Sequence, residues 1–249
     1  LDDMIKASER TGKFFTVHQN RRYDPDYLTV KRLYDENTLG KIFRIESRVS
    51  GSRGIPGDWR QRKAQGGGMI LDWGIHILDQ ALMMFDDKKL DSVYCQVTHI
   101  TNDEVDDGFV ATLNYKDDSA YVISVGTNNF IDYPRWHVQG INGSAICEWD
   151  LSGKVVMVSD WENKDAVPVR TGVGLTKTMA PRTDDSIQTF PLPYVEDKGF
   201  SGEHTLYNNI CDVIEGKAEP IVTHAQQRRL IKVVEAMFES AEKNIVVKF

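Results

Sequence analysis

The stretch Gly66-Gly67-Gly68-Met69-Ile70-Leu71-Asp72-Trp73-Gly74-Ile75-His76-Ile77-Leu78-Asp79-Gln80 sets a carboxylate and an imidazole four residues apart in surroundings that are otherwise nearly all apolar. Read as a helix, it places Asp72, His76, Asp79 and Gln80 at i, i+4, i+7 and i+8, on one narrow polar stripe. A helix so apolar elsewhere is buried around most of its circumference, and an isolated buried charge costs several kcal/mol, roughly. The stripe must therefore meet a partner, a cleft or water. A carboxylate that raises the pKa of a neighbouring histidine gives a group able to trade protons near neutral pH, as chemistry at a carbinol requires. The three glycines add the option of close backbone approach to a ligand. On the residues alone a second reading stays open, in which Asp72 and His76 form a structural pair at the edge of the core. A metal site is disfavoured, because Asp-x-x-x-His supplies two ligands and nothing nearby completes the set.

Two further groups stand where they could join such a site. Val17-His18-Gln19-Asn20-Arg21-Arg22-Tyr23 leaves an expected strand and enters a helix. Ligands of α/β sheets bind beyond the carboxyl ends of strands, which places Asn20 and Arg21 to reach a cleft; helix-entry hydrogen bonds and salt bridges are the plainer alternative. Asp58-Trp59-Arg60 is an aromatic and cationic pair in a loop with glycine and proline, able to cover a sugar or cofactor or simply to pack there.

The elements that must position these residues follow from periodicity. Leu1 to about Thr11 reads as a helix stopped by Gly12, and Phe14-Phe15-Thr16-Val17 as a short buried strand. A helix-strand unit of this kind belongs to a parallel α/β sheet, and the expectation is that residues 1–20 are the remnant of a larger domain and 21–249 a second one. Asp24-Pro25 caps a helix to about Asn37. From Ile42 to Val49 the residues alternate, with Phe43, Ile45, Ser47 and Val49 facing one way and Arg44, Glu46 and Arg48 the other. Similar runs recur at Val93-His99, Phe109-Tyr115, Tyr121-Val125, His137-Ile141, Ala145-Trp149 and Val155-Val158. Turn residues between several of them make the pairing predominantly antiparallel. Residues 160–185 lack periodicity and read as a long loop. Two helices close the chain: one at 202–215 with Leu206, Tyr207, Ile210, Val213 and Ile214 on a stripe, the other from the capping box at Thr223 with Leu230, Val233, Val234, Met237, Phe238 and Ala241. The fold class expected is α+β, a large predominantly antiparallel sheet with helices on one face.

Bulk composition limits the function classes. With 41% hydrophobic and 27% charged residues, the 249-residue chain has the balance of a folded globular protein. A net charge of -7 without a long basic block argues against nucleic acid as a partner, and no run reaches the length of a membrane span. Cys95, Cys147 and Cys211 are odd in number and far apart, so a reducing cytoplasm fits best.

These residues resemble the glucose-fructose oxidoreductase and inositol dehydrogenase family (Gfo/Idh/MocA). The resemblance rests on the Gly-Gly-Gly-x-x-x-Asp-x-Gly-x-His segment, on Val17 to Pro25, Leu39-Gly40-Lys41-Ile42, Trp59-Arg60, and the closing Glu235-Ala236 and Glu239-Ser240-Ala241 helix, in that order along nearly the whole chain. It implies an NAD(P)-dependent oxidoreductase with an N-terminal Rossmann domain and a C-terminal domain whose open sheet binds a sugar, inositol or related polyol and makes the contacts of a homodimer or homotetramer. It implies that His76 works with a lysine from a Glu-Lys-Pro motif on the alcohol being oxidised, and that Asp72 orients substrate or assists proton transfer. Asn20, Arg21 and Arg60 match positions that line or support the pocket, and Trp59 is a candidate for cofactor contact. The sequence departs from the family in having no Glu-Lys-Pro and no Gly-x-Gly-x-x-Gly between a strand and a helix; Gly51, Gly54 and Gly57 have the wrong spacing. In the family both motifs precede the point matching Leu1, so the parent polypeptide is expected to continue upstream and this chain alone to be inactive. The competing expectation is a noncatalytic sugar-binding or oligomerisation module.

Overall fold

The computed structural model describes residues 1–159, 186–195 and 202–249; the long loop expected at 160–185 lies outside them. Its centre is one sheet of nine strands: β1 (Ile42–Ser50), β2 (Leu90–Thr98), β3 (Gly108–Tyr115), β4 (Ala120–Gly126), β5 (Trp136–Gly140), β6 (Gly143–Cys147), β7 (Gly153–Val158), β8 (Ile187–Pro191) and β9 (Val247–Lys248). They lie side by side as β8-β7-β6-β5-β1-β4-β3-β2-β9. Hairpins join β3 to β4, β5 to β6 and β6 to β7, so these pairs are antiparallel. The β1–β4 pair is parallel, because the chain leaves β1 for the helical layer and two further strands before returning beside it.

Alternation along the strands sorts the two faces. Ile45 and Val49, Phe109, Ala111 and Leu113, Tyr121 and Ile123, and Trp136 and Val138 are buried under the helices. Arg44, Glu46 and Arg48 point to the other face, where Glu46 pairs with both arginines. One expectation fails at the start of β1. A register shift between Ile42 and Arg44 turns Ile42 into the core and leaves Phe43 42% exposed.

Among the described residues, five α-helices accompany the sheet: α1 (Asp2–Thr11), α2 (Pro25–Asp35), α3 (Ile75–Met84), α4 (Gly202–Ile214) and α5 (His224–Lys243). Gly12 ends α1 in the left-handed conformation, φ 66°. Thr223 and Gln226 form the reciprocal capping box at the start of α5, whose Leu230, Val233, Val234 and Met237 face the core. At its far end Ser240 Oγ accepts the Cys95 N–H (2.9 Å) and donates to the Ile245 carbonyl (2.6 Å), tying α5 to β2. On α3, Phe85 at the C-terminus meets the edges of Tyr115 and Tyr121 at 5.1 and 5.4 Å, locking the helix to β3 and β4.

Two more expectations are corrected. Phe14 to Val17 is not a strand: Phe14 is 37% exposed and the segment lies along the start of α5, where Phe15 O is bonded by His224 Nε2 at 2.9 Å and Val222 O by Thr16 Oγ1 at 3.3 Å. No described strand lies beside it to accept its β-propensity. On α4, Leu206 is buried, but Tyr207 and Ile214 are 54% and 66% exposed, since this helix rests on the Asn20–Tyr23 turn instead of the sheet.

Candidate active site

The helix that carries Asp72 and His76 begins in an unusual way. The Gly66-Gly67-Gly68 turn runs directly against its own chain. A Cβ on Gly67 would stand 2.3 Å from the Arg60 carbonyl oxygen, and one on Gly68, at φ 103°, 2.2 Å from an Asp106 carboxylate oxygen. The close approach that the glycines permit is therefore to the 58–62 loop and to Asp106, not to a ligand. Ile70–Gly74 then forms a π turn, closed by Gly74 N–H to Met69 O at 2.7 Å, before the chain settles into α3. Gly74 is required there: a Cβ would meet Met69 O and the Phe109 ring, each at 2.9 Å.

The extra residue of the π turn separates the partners of the polar stripe. Asp72 pairs with Arg60, Oδ2 to Nε at 3.0 Å. His76 Nδ1 lies 3.0 Å from Gln19 Oε1. Asp79 takes a bidentate pair from buried Arg22 at 2.6 and 2.7 Å. Gln80 donates to Arg21 O at 2.6 Å and accepts from Arg135 at 3.1 Å. Asp79 and Gln80 thus hold the 20–23 turn against α3, while Asp72 and His76 stay only partly covered. Asp72 does pull the histidine pKa upward, as expected, but it is outweighed. Burial comes first and the Arg21 cation second, and together they hold His76 below its ordinary value against the smaller pull of Asp79 and Asp72.

Around this pair the expected residues gather unevenly. Arg60 donates to Asp58 at 2.8 Å, pairs with Asp72, and lies 4.6 Å from the centre of the Trp59 ring. Asp58 also accepts the Arg60 N–H at 2.9 Å, so the short turn Trp59–Gln61 is built around this one carboxylate. Arg21 stacks its guanidinium 4.5 Å over Trp73 and reaches Asp24 at 3.5 Å. Burial pushes Asp24 up to about 6. Asn20 opens the turn Asn20–Tyr23, which packs against α3 and α4, one residue from Gln19 and Arg21. Trp59 is 41% exposed beside Arg60. The residues that sequence reasoning missed are Gln19, 2% exposed, and Gln227, 2% exposed, whose Oε1 accepts from Gln19 Nε2 at 3.4 Å. Gln227 did leave a signal, an amide on the apolar stripe of α5 three residues before Leu230.

Among the described residues no group of three or more His, Cys, Asp and Glu could hold a metal ion. A dinucleotide cofactor needs backbone N–H groups for its pyrophosphate. The glycine turn does not fit that task, because its N–H groups are engaged: Gly67 to Arg62 O, Gly68 to Arg60 O and Met69 to Asp106 O, each at 3.0 Å, and Ile70 to Asp106 Oδ2 at 2.8 Å. A carboxylate already stands where a phosphate would.

The model for the GFO/IDH/MocA C-terminal domain matches residues 27–146, which contain the sheet centre, the π turn, Asp72 and His76. The chain belongs to the Gfo/Idh/MocA family. Members of this family similar to the chain include scyllo-inositol 2-dehydrogenase (NADP(+)) IolW of Bacillus subtilis, 27% identical over 251 residues that cover 97% of this chain and 66% of that enzyme. Over a shorter span, 117 residues and 46% of this chain, it is 28% identical to trans-1,2-dihydrobenzene-1,2-diol dehydrogenase of Danio rerio, of which the match covers 34%. The crystal structure of an NAD-binding protein from Listeria innocua superposes with a TM-score of 0.90 at 42% identity, covering 99% of this chain and 70% of that one. The chain thus spans about two thirds of the length of these long-range Gfo/Idh/MocA matches.

Proposed function

We propose that this chain is the substrate-binding part of an NAD(P)-dependent oxidoreductase that acts on a sugar, inositol or related polyol. The observation that carries the reading is the setting of His76. Its Nδ1 is held by Gln19, no described residue bonds its Nε2, and burial with Arg21 keeps the ring neutral near pH 7. A neutral, partly exposed imidazole is a proton acceptor for a substrate hydroxyl. Asp72, fixed by Arg60, offers its remaining oxygen to a neighbouring hydroxyl, and Arg21 and Arg60 each lie over a tryptophan that can cover an apolar sugar face. Because Arg60 is balanced by Asp58 and Asp72 and Arg21 by Asp24, the site suits a neutral polyol better than an acid. Asn20 supports the same turn.

In this reading NAD or NADP, held outside the described residues, accepts the hydride. A lysine of the family's Glu-Lys-Pro motif, which these 249 residues lack, joins His76 at the hydroxyl. Residues 1–20 belong with the nucleotide-binding half and 21–249 form the substrate and oligomerisation domain. A second copy docks on the uncovered sheet face, where Val110 is 49% exposed, with Phe130, Ile131 and Tyr133 standing 79%, 81% and 63% exposed in the loop beyond β4. Three unpaired cysteines, two of them buried, fit a reducing cytoplasm; no helix among the described residues is long and apolar enough to cross a membrane.

Titration calorimetry of the chain with inositols and hexoses, beside its His76→Ala variant, tests the binding half of the reading. Polyol binding weakened by His76→Ala supports it. Binding that is unaffected by the variant removes His76 from the pocket, and polyol binding without any nicotinamide-dependent turnover by the full polypeptide favours the noncatalytic module.

A further inference from the structure

The buried stripe of α5 carries two polar residues: Ser240, whose bonds to Cys95 N–H and Ile245 O account for it, and Gln227. Leu230, Val233, Val234 and Met237 fill it, and at the position where helical spacing calls for another aliphatic side chain stands Gln227, 2% exposed. Its Nε2 has no hydrogen-bond partner among the described residues. A leucine there would bury more apolar surface and remove the unpaired Nε2, so the amide is not explained by the stability of α5 itself. Its Oε1 accepts from Gln19 Nε2 at 3.4 Å, and Gln19, equally buried, turns its own Oε1 to His76 Nδ1 at 3.0 Å. The two amides run head to tail toward the imidazole ring.

That direction has a chemical consequence. A carbonyl oxygen only accepts, so the Nδ1 that faces it must carry the proton, which leaves the lone pair on Nε2. We propose that Gln19, held in orientation by Gln227, is a positioning residue that fixes His76 as its Nδ1–H tautomer and so presents the Nε2 lone pair to the hydroxyl being oxidised. The catalytic meaning rests on the reading of His76 as a proton acceptor, but the tautomer itself does not. A reversed pair of amides would turn an NH₂ group toward Nδ1, drive the proton to Nε2 and leave Nε2 without a free lone pair. The charges facing the ring are Arg21, with His18 beside it in the same segment, and Asp72 and Asp79 on its own helix.

The test is long-range ¹H–¹⁵N correlation on the whole chain labelled at the histidine ring nitrogens, with His76 assigned by its loss in His76→Asn. At a pH where the ring is neutral, the wild type is expected to show Nδ1 protonated and Nε2 bare. Gln227→Leu, which frees the Gln19 amide to turn, is expected to move both nitrogen shifts toward the average of the two tautomers. Gln19→Glu keeps an acceptor at Nδ1 and should retain the tautomer while raising the His76 titration midpoint by about one unit or more, the effect of a carboxylate at hydrogen-bond distance. A wild-type His76 protonated on Nε2 overturns the proposal. So does a Gln227→Leu variant with unchanged ring shifts, or a Gln19→Glu variant with an unchanged midpoint. If Gln227→Leu does not fold, the wild-type tautomer and the Gln19→Glu midpoint still decide. A correct tautomer in a chain whose parent oxidises no polyol would sink the functional reading and leave this one standing.

Discussion

A half-buried imidazole beside an arginine holds its proton weakly, and that fixes the sign of two expectations at His76. Its folded pKa lies below the ordinary 6.5, so the folded protein prefers the neutral ring. The stability this contributes is complete above pH 6.5 and is lost as pH falls through the folded value. The same neutral form is the proton acceptor, so log kcat/KM for alcohol oxidation should fall on the acid side with a break below 6.5. A pH-rate profile checks this, and a break above 6.5 would contradict it. His76→Ala should lower kcat/KM about 100-fold or more, the usual scale for losing a general base. Far-ultraviolet circular dichroism and thermal melting should change little, because no described ion pair depends on the ring. At this scale Asp72, His76, Arg21 and Arg60 were legible, as polar side chains in places that either packing or chemistry must explain. Gln19 was not, since its partner Gln227 lies 208 residues away and an amide in a loop carries no signal of its own.

The element that sets the geometry is the glycine turn and its π start, not an ideal helix. Gly67 allows the chain to lie against the Arg60 carbonyl, so Gly67→Ala must displace the very loop that holds Arg60 to Asp72. Overpacking of this kind costs roughly 1–3 kcal/mol, to be read from urea unfolding, and activity should fall with it. Asp106 answers for the same turn through its bond to the Ile70 N–H. Periodicity could not show the π turn, because one inserted residue leaves the apolar pattern almost unchanged, nor that Asp72 pairs with Arg60 and His76 with Gln19. Phe14 to Val17 pairs with no strand among the described residues, and strand propensity is expressed only where a neighbouring strand accepts it. The α5 capping box, by contrast, is a local device, complete within Thr223 to Gln226, and was readable.

For the molecule as a whole, alternation in the strands was enough to read a mainly antiparallel sheet with one covered face. The parallel neighbours β1 and β4 were not readable, since they are joined through α3, β2 and β3 and no local turn marks them. Two carboxylates, Asp106 buried and Asp24 partly exposed, make the stability of the assembled fold depend on pH. Burial raises Asp106 to about 6 and Asp24 to about 6. A raised acid is protonated in the folded state at pH values where the unfolded chain has already ionised. Its contribution is therefore present at low pH and is lost as pH rises from about 4 to about 6. Asp106→Asn should abolish its share, so the difference in unfolding free energy between variant and wild type should change between pH 4 and 6, roughly, by up to about 3 kcal/mol, and stay level above. The exposed sheet face makes a second whole-molecule prediction. Light scattering should find a dimer or tetramer, and Phe130→Asp with Ile131→Asp should shift it toward monomer without loss of the melting transition.

The most direct measurement is nicotinamide reduction, followed by its absorbance, when the full polypeptide is given inositols, hexoses and related polyols with NAD or NADP, wild type and His76→Ala side by side. Polyol-dependent reduction that His76→Ala lowers about 100-fold or more is the expected result. No reduction with any polyol and either nucleotide, or reduction that His76→Ala leaves intact, would contradict the assignment of His76 as the base.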